Sequence, residues 1–280
     1  MRTSRFRRSS LLAYAALSLA SLLFLLPLLW MVATSLMPES GATDGKTPVD
    51  RESSGLENYA AVWNDPSVTF PIYLRNTLIV AVLSVVGMCL SSAIVAYGFS
   101  RINWRGRTWV FALMLATMMI PFPVIMGPLY IIFSNLGWIG SLKPLWVPAW
   151  FGGAFNIFLL RQFYMQIPRE LDEAATIDGC GHWGIFWRII LPLSTPALAV
   201  VALFHFMFVW NDFLAPLIFL THRDQFTLAL GLQLYQSKAG NTPWNLLMAA
   251  SVMVTAPVLL LFLLTQRTFV AGISSGGVKE

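Results

Sequence analysis

Six long apolar runs, separated by short charged segments, dominate this chain of 280 residues. About 20 apolar residues in a helix cross the hydrocarbon core of a bilayer, and each run is close to that length or longer. The third run is too long for one helix, and its prolines and glycines predict that a helix ends near Phe133. The pattern predicts an all-α membrane protein with six transmembrane helices, in runs that cover residues 9 to 38, 76 to 100, 108 to 142, 144 to 160, 196 to 220 and 243 to 265.

The composition agrees with a bilayer environment. Hydrophobic residues make up 57% of the chain, charged residues only 11%, and the mean hydropathy is +0.68. This is too little charge to cover a soluble globule of this size. The net charge of +5 is spread over the ends of apolar runs and forms no basic patch with exposed aromatic residues. We therefore expect membrane lipid as a partner and no nucleic acid.

Arginines predict how the helices are oriented. Four of them precede the first run, and Arg101, Arg105 and Arg107 follow the second. Because basic residues are retained on the cytoplasmic side, both segments are predicted to lie inside the cell. Six crossings that start inside return the C-terminus to the cytoplasm, so both termini are predicted to be cytoplasmic.

The polar and net acidic segment from residue 39 to 70 is predicted to be an outer loop. It contains Gly41, Gly45, Lys46 and Thr47, which resemble a phosphate-binding loop. The motif needs four residues between its glycines, however, and only three are present. We therefore expect no ATPase site in this chain.

The segment from residue 164 to 195, between the fourth and fifth runs, mixes acids, glycines and aromatic residues. Pro168 suits the first turn of a helix, and Glu170, Asp172 and Glu173 place negative charge at its positive end. A helix is predicted to start here. Its apolar face contains small side chains that a partner could approach closely, and the residues that share this face by their spacing are Leu171, Ala174, Ala175 and Asp178.

Two glycines predict a turn after this first helix. Gly179 and Gly181 can adopt the left-handed backbone that ends a helix. The residues from His182 to Arg188 then indicate a second short helix, which Pro192 is predicted to stop. The segment is therefore predicted to be a helix-turn-helix on the cytoplasmic side, which we call the elbow (residues 164 to 195).

The elbow resembles the EAA loop of ABC-importer permeases at every fixed position of that motif. The chain is also similar to the second permease of carbohydrate importers in Asn58-Tyr59, in Trp210-Asn211-Asp212-Phe213 and in its C-terminal tail. In such permeases the loop docks on the ATPase subunit, so the resemblance implies that role for Glu173, Ala174, Ala175, Asp178, Gly179, Ile189, Leu191 and Pro192. For the tail, it implies docking through Gly272, Gly276, Gly277 and Lys279.

The resemblance also implies an architecture and a set of partners. The expected fold is that of a type I ABC-importer permease, with a core at residues 71 to 266 between an N-terminal segment, 1 to 70, and a tail, 267 to 280. The expected partners are a second permease, a cytoplasmic ABC ATPase dimer that hydrolyses ATP, and an extracytoplasmic sugar-binding protein. The expected location is the bacterial cytoplasmic membrane. We expect this chain itself to have no catalytic site, metal or bound cofactor.

The fifth run contains the ionisable residues that could contribute to a translocation pathway. His205, Phe208 and Asp212 are spaced to share one helix face, with Trp210 nearby, and could hydrogen-bond and stack on a sugar ring. Asp212 also lies near the outer end of the run, where it can serve a structural purpose. We expect it to affect assembly or gating more than the choice of sugar.

Other functions remain open at this point. The solute could be something other than a sugar, such as a glycerol phosphodiester. An ion-coupled secondary transporter would need ionisable groups in several spans, whereas only His205 and Asp212 are available. A membrane enzyme would need a cluster of reactive side chains, but His182 and His222 lie in different segments from His205.

The predicted topology can be tested by cysteine labelling in a chain whose Cys89 and Cys180 have been replaced by serine. Single cysteines at Ser54 and Gly240 should react with a membrane-impermeant reagent added outside, because both positions are predicted to lie in outer loops. A cysteine at Gly106 should react only after the membrane is permeabilised. The reverse pattern would contradict the predicted orientation.

Overall fold

The computed structural model describes residues 3 to 38, 55 to 236 and 242 to 276, with side chains for 13 to 38, 55 to 236 and 242 to 266. Within these ranges every regular element is a helix. The α-helices are α1 (Thr3–Ser35), α2 (Glu57–Asn64), α3 (Phe70–Ser100), α4 (Arg107–Thr117), α5 (Phe122–Asn135), α6 (Lys143–Trp146), α7 (Ala154–Gln166), α8 (Glu170–Ile177), α9 (His182–Ile185), α10 (Leu191–Leu193), α11 (Thr195–Trp210), α12 (Leu214–Phe219), α13 (Leu228–Gln236) and α14 (Trp244–Gly276). Three other helical turns are Val147–Phe151 and Arg223–Gln225, both 3₁₀, and the π-helical Phe186–Ile190.

Three stretches are long and apolar enough to cross a membrane unaided. They lie in α1, α3 and α14, at Ala13–Ser35, Phe70–Ser100 and Trp244–Gln266. Two bent pairs also qualify if each pair is one crossing: α4 with α5, bent by 98°, and the helical segment His182–Leu193 with α11, bent by 75°. The described residues thus contain between three and five crossings by length and composition.

The third apolar run is broken at Pro121, ahead of the helix end that was predicted near Phe133. Pro121 has an extended backbone, with φ −71° and ψ 143°, and directly precedes α5. Proline has no N–H to donate and disfavours helical backbone in the residue before it, so α4 cannot continue into α5. The predicted end near Phe133 also agrees with α5, which ends at Asn135.

The fourth and fifth runs are less regular than predicted. The fourth was predicted to be one helix over residues 144 to 160, but Gly152, with φ +83°, separates the 3₁₀ turn from α7. A left-handed residue cannot lie inside a right-handed helix. The fifth was predicted to be continuous to Leu220, but α11 ends at Trp210 and α12 begins at Leu214.

The last helix is longer than predicted. The sixth apolar run ends at residue 265. Helix α14 continues beyond it through Gly276, without a break after the apolar stretch. An existing helix lengthens by one hydrogen bond per residue added and needs no new nucleus, which allows it to extend into residues of poor helix propensity.

The chain divides into two compact units: Met1–Phe70 with Leu232–Leu259, and Pro71–Gly231 with Leu260–Glu280. In the first unit, the Asn58 amide donates hydrogen bonds to the carbonyls of Ser35 (2.9 Å) and Met37 (2.8 Å). Asn245 donates to Asn58 Oδ1 at 3.1 Å, and the Tyr59 hydroxyl lies 2.7 Å from Ser35 Oγ. The Asn58-Tyr59 pair therefore fastens α2 to the end of α1 and to the start of α14.

In the second unit, a hydrophobic cluster joins α3, α7, the elbow and α11. Small residues on α3 allow the other helices to approach closely, and aromatic and branched residues fill the remaining space. The buried members of this cluster include Ala93, Ala96, Tyr97, Leu160, Tyr164, Phe186, Ile190 and Val201.

Two glycines of α3 offer a test of this packing. A Cβ added at Gly87 would lie 2.3 Å from Cδ1 of Trp150, whose indole is held by a hydrogen bond to the carbonyl of Leu83. A Cβ added at Gly98 meets nothing within 4 Å. We expect Gly87→Ala to destabilise the folded chain by about 1 to 3 kcal/mol through overpacking.

The measurement is the melting temperature of the purified chain in detergent. Gly98→Ala is the matched control and should leave the melting temperature unchanged or raise it slightly, because alanine favours helix over glycine. Equal melting temperatures for the two variants would contradict the packing of Trp150 against α3.

Candidate functional site

The first half of the elbow has the predicted helix and the predicted turn. Helix α8 begins at Glu170, two residues after Pro168, with three acids in its first turn. Gly179 has φ +82°, and the Gly179 N–H donates to the carbonyl of Thr176. The Cys180 N–H donates to the carbonyl of Ala175 at 2.9 Å. This pair of bonds is the Schellman motif that ends a helix with a left-handed glycine.

The second half of the elbow differs from the prediction in two respects. Gly181 does not adopt the left-handed backbone, since its φ is −76° and its ψ is 170°. The helix that starts at His182 also does not stop at Pro192 but continues through a π-helical turn to Leu193. The segment ends one residue beyond Pro192, at Leu193.

The elbow has one face turned into this chain and one face left open. Ala175, Ile185 and Phe186 are buried, and Phe186 packs against Tyr97 with ring centroids 5.3 Å apart. Ile189 and Leu191 are partly buried against the same cluster. These five residues therefore hold the elbow to its own chain. For Ala175 this corrects the expectation that both alanines present a close-contact face to a partner.

The open face carries large apolar side chains together with charge. Ile177 is 87% exposed and Trp183 is 64% exposed. Ala174 and Glu173 are exposed as well, and the Glu173 carboxylate has no hydrogen bond or ion pair with the residues that the structure describes. A Cβ added at Gly179 meets nothing within 4 Å. This surface is available to another molecule.

A buried arginine fixes the elbow to the membrane helices. Arg101, directly after α3, donates from Nη1 to Asp172 Oδ2 at 3.0 Å, and its side chain is only 3% exposed. From Nη2 it donates to the carbonyls of Tyr164 (2.5 Å) and Ile167 (2.7 Å) at the end of α7. From the sequence, Arg101 contributed only to orientation and Asp172 only to the helix start. A pair separated by 71 residues leaves no local pattern from which it could be read.

A second arginine makes the reciprocal connection. Arg161 of α7 donates from Nε to the carbonyl of Phe99, at the end of α3, at 3.2 Å. Its guanidinium also lies 4.3 Å from the ring centroid of Phe111. The last carbonyls of a helix lack intrahelical partners and carry partial negative charge, so each helix supplies the cation that satisfies the end of the other.

Three of the four predicted pathway residues line a cavity of about 500 Å³ in the second unit. His205 Nε2 lies 2.6 Å from Ser84 Oγ, and the His205 and Phe208 rings stack with centroids 6.0 Å apart. His205, Phe208 and Asp212 all line this cavity. Trp210 is not among the lining residues; it is buried and stacks on Phe206 at 5.1 Å. The structure thus brings three of the four residues together.

Asp212 does not share a helix face with His205 and Phe208, because α11 ends before it. Asp212 Oδ1 instead accepts a hydrogen bond from the backbone N–H of Ala215 at 3.2 Å. A carboxylate in this position satisfies a free N–H at the start of α12 and is stabilised by the helix dipole. This geometry gives Asp212 a structural task.

The tail residues are only partly within reach of the structure. The backbone of Gly272 and Gly276 lies in α14. Gly277 and Lys279, the other two tail residues predicted to dock on the ATPase, lie outside the described residues. The segment with Gly41 and Lys46 also lies outside them. Among the described residues, no group of three or more His, Cys, Asp or Glu side chains could hold a metal ion.

Comparison with known proteins defines the class to which this fold and elbow belong. Residues 89–275 match the family described as "Binding-protein-dependent transport system inner membrane component". This match spans well over half of the chain, so the chain belongs to that family and is a multi-pass inner-membrane protein. The predicted family and location are confirmed.

Particular relatives can be named. The chain is 35% identical over 263 residues to the trehalose/maltose transport system permease protein MalG of Thermococcus litoralis, covering 93% of this chain and 94% of that protein. It is 32% identical over 279 residues to the lactose transport system permease protein LacG of Rhizobium radiobacter, covering 100% of both. It is 33% identical over 261 residues to the arabinooligosaccharides transport system permease protein AraQ of Bacillus subtilis, covering 92% of both.

A solved structure shows the same fold. A chain of a bacterial ABC transporter involved in the import of the acidic polysaccharide alginate is similar with a TM-score of 0.82. The similarity covers 95% of this chain and 98% of that chain, at 22% sequence identity. The predicted fold of an ABC-importer permease is confirmed at this level.

The capping geometry of Asp212 leads to a test. Asn caps a helix about as well as Asp, so Asp212→Asn should leave both the assembled complex and the substrate preference unchanged. Asp212→Ala should lose the cap and cost about 1 kcal/mol of stability, seen as a lower melting temperature in detergent. A changed order of preference among sugars in Asp212→Asn, with the complex intact, would instead indicate direct contact with substrate.

Proposed function

We propose that this chain is the permease subunit of an ATP-driven importer for a sugar or oligosaccharide, and that its elbow transmits the action of an ATPase. The observation that carries this proposal is the two-sided geometry of the elbow. One side is fixed to α3 and α7 through Arg101 and the buried cluster, and the other presents Ile177 and Trp183 in the open. An element that is rigid on one side and open on the other is suited to receive a force from a partner.

We propose six crossings with both termini in the cytoplasm. Helices α1, α3 and α14, the bent pair of α4 with α5, and α11 with α12 would account for five, and the segment from α6 to the end of α7 would supply the sixth. Arg101, Arg107 and Arg161 lie together at the ends of α3, α4 and α7. Under the positive-inside rule, that end of the second unit faces the cytoplasm.

The proposed partners follow from the family. A binding-protein-dependent transport system implies an extracytoplasmic binding protein, a second permease and an ATPase pair. A bacterial alginate ABC transporter has also been solved in complex with an alginate pentasaccharide-bound periplasmic protein. One chain of that complex is similar to this chain with a TM-score of 0.67. In this arrangement our chain forms half of the translocation pathway, binds no cofactor and leaves ATP hydrolysis to the ATPase subunits.

The proposed substrate class rests on the named relatives, whose solutes are disaccharides or oligosaccharides. The cavity around His205 and Phe208 combines an aromatic face with a few hydrogen-bonding groups. Aromatic faces beside polar groups suit a sugar ring. Because a second permease and a binding protein share recognition, the cavity supports the class of substrate and not an individual sugar.

The elbow proposal predicts the behaviour of two variants. Gly179→Val should abolish uptake, because valine is strained at φ +82° and its side chain projects from the open face. Glu173→Lys should weaken attachment of the ATPase by reversing a charge on that face, and reduce uptake by about tenfold or more. The measurements are sugar uptake in cells and recovery of the ATPase with the affinity-purified complex.

Arg169→Ala is the control, because Arg169 is exposed at the start of α8 and should contribute little. All three variants should insert normally into the membrane, since none alters an apolar run. If Gly179→Val and Glu173→Lys insert normally and keep full uptake and full ATPase recovery, the elbow is not the coupling site.

A further inference from the structure

The geometry points to Arg101 as a positioning residue that carries movement of α8 to the ends of α3 and α7. This inference rests on the proposed function, because it assumes that an ATPase displaces the elbow. It assigns part of the transmission step to a side chain outside the coupling motif, which acts beside the buried cluster that also holds the elbow.

Three elements meet at the Arg101 guanidinium. The backbone N–H of Arg101 donates to the carbonyl of Tyr97 at 2.9 Å, so the base of the side chain belongs to the last turn of α3. Nη2 holds the Tyr164 and Ile167 carbonyls at the end of α7. Nη1 holds Asp172 of α8. A displacement of any of these three elements must either move the other two or break a buried charge-assisted hydrogen bond.

Asp172 is held within α8 and cannot move separately from that helix. Its backbone N–H donates to the carbonyl of Arg169 at 2.9 Å, and its carbonyl accepts a hydrogen bond from Thr176 Oγ1 at 2.8 Å. The Asp172 side chain is only 20% exposed. The carboxylate therefore moves with α8 as a unit, and the charge-assisted hydrogen bond from Nη1 couples that movement to Arg101.

Because Arg161 makes a separate contact between α3 and α7, the specific role of the Arg101–Asp172 pair is to connect those helices to α8. Arg161 already joins the ends of α3 and α7 through the Phe99 carbonyl. Removing the Asp172 charge should therefore leave those two membrane helices together and loosen only their link to α8. The expected consequence is ATP hydrolysis that no longer drives transport.

The test measures sugar uptake per ATP hydrolysed in the full importer, reconstituted in vesicles with its binding protein. The substrate is whichever of maltose, trehalose, lactose and arabino-oligosaccharides the unmodified importer takes up. The variants are Asp172→Asn, which removes the charge but keeps the shape, and Arg101→Lys, which keeps the charge but loses the fork. Arg105→Lys is the matched control, because Arg105 lies in the same turn and is exposed.

We expect Asp172→Asn and Arg101→Lys to retain the ATPase subunits and to hydrolyse ATP, while uptake per ATP falls about tenfold. Arg105→Lys should keep the unmodified ratio. An unchanged ratio in Asp172→Asn overturns the inference. Loss of the ATPase subunits from that variant also overturns it, because the pair would then only shape the docking surface.

Two further comparisons make the result decisive. If Arg101→Lys fails to insert, Asp172→Asn decides alone by the same two outcomes. Glu173→Lys and Gly179→Val, tested in the same preparation, report on the proposed function separately. If those two variants keep the ATPase and full uptake, the elbow proposal fails whatever the Asp172→Asn ratio is.

Discussion

The arrangement of α8 against the ends of α3 and α7 depends on burying one guanidinium. Arg101 is almost inaccessible to solvent and must therefore find acceptors within the protein. The carbonyls of Tyr164 and Ile167 lie at the end of α7 and accept hydrogen bonds from the guanidinium, and Asp172 supplies the compensating charge. Removing one member of a buried ion pair typically costs about 3 to 5 kcal/mol, since the other charge is left uncompensated. The ion pair between Arg101 and Asp172 therefore helps to fix the position of the elbow.

Much of the elbow could be read from the sequence, but not which side of it faces inward. The glycine turn was predictable because a left-handed residue at the end of a helix is a local requirement that Gly179 meets without strain. The burial of Ala175 was not, because the spacing of a motif indicates which residues share a face and not where that face points. The direction is set by Tyr97 and Leu160, which lie in other helices.

The same division applies to the membrane helices. Hydropathy located the apolar runs, and the prolines and glycines of the third run predicted a helix end near Phe133, close to the observed end of α5 at Asn135. The helix breaks at Gly152 and around Asp212 were not predicted, because glycine and aspartate are also compatible with other roles in an apolar run. At membrane depth, an interrupted helix must satisfy its free backbone groups internally. Asp212 does so for α12, which explains a carboxylate there without invoking substrate.

Exposed apolar side chains have two different meanings in this protein. Along Ala13–Ser35 of α1 they continue for 23 residues without a charge, and lipid is the solvent that such a surface requires. On the elbow, the exposed Ile177 and Trp183 alternate with three exposed charged residues, Glu173, Asp178 and Arg188. Apolar surface rimmed by charge is typical of an interaction site, and on the elbow the charges favour the protein partner that we propose. The charges between the apolar residues, more than the degree of exposure, thus distinguish a surface that faces lipid from one that faces a partner.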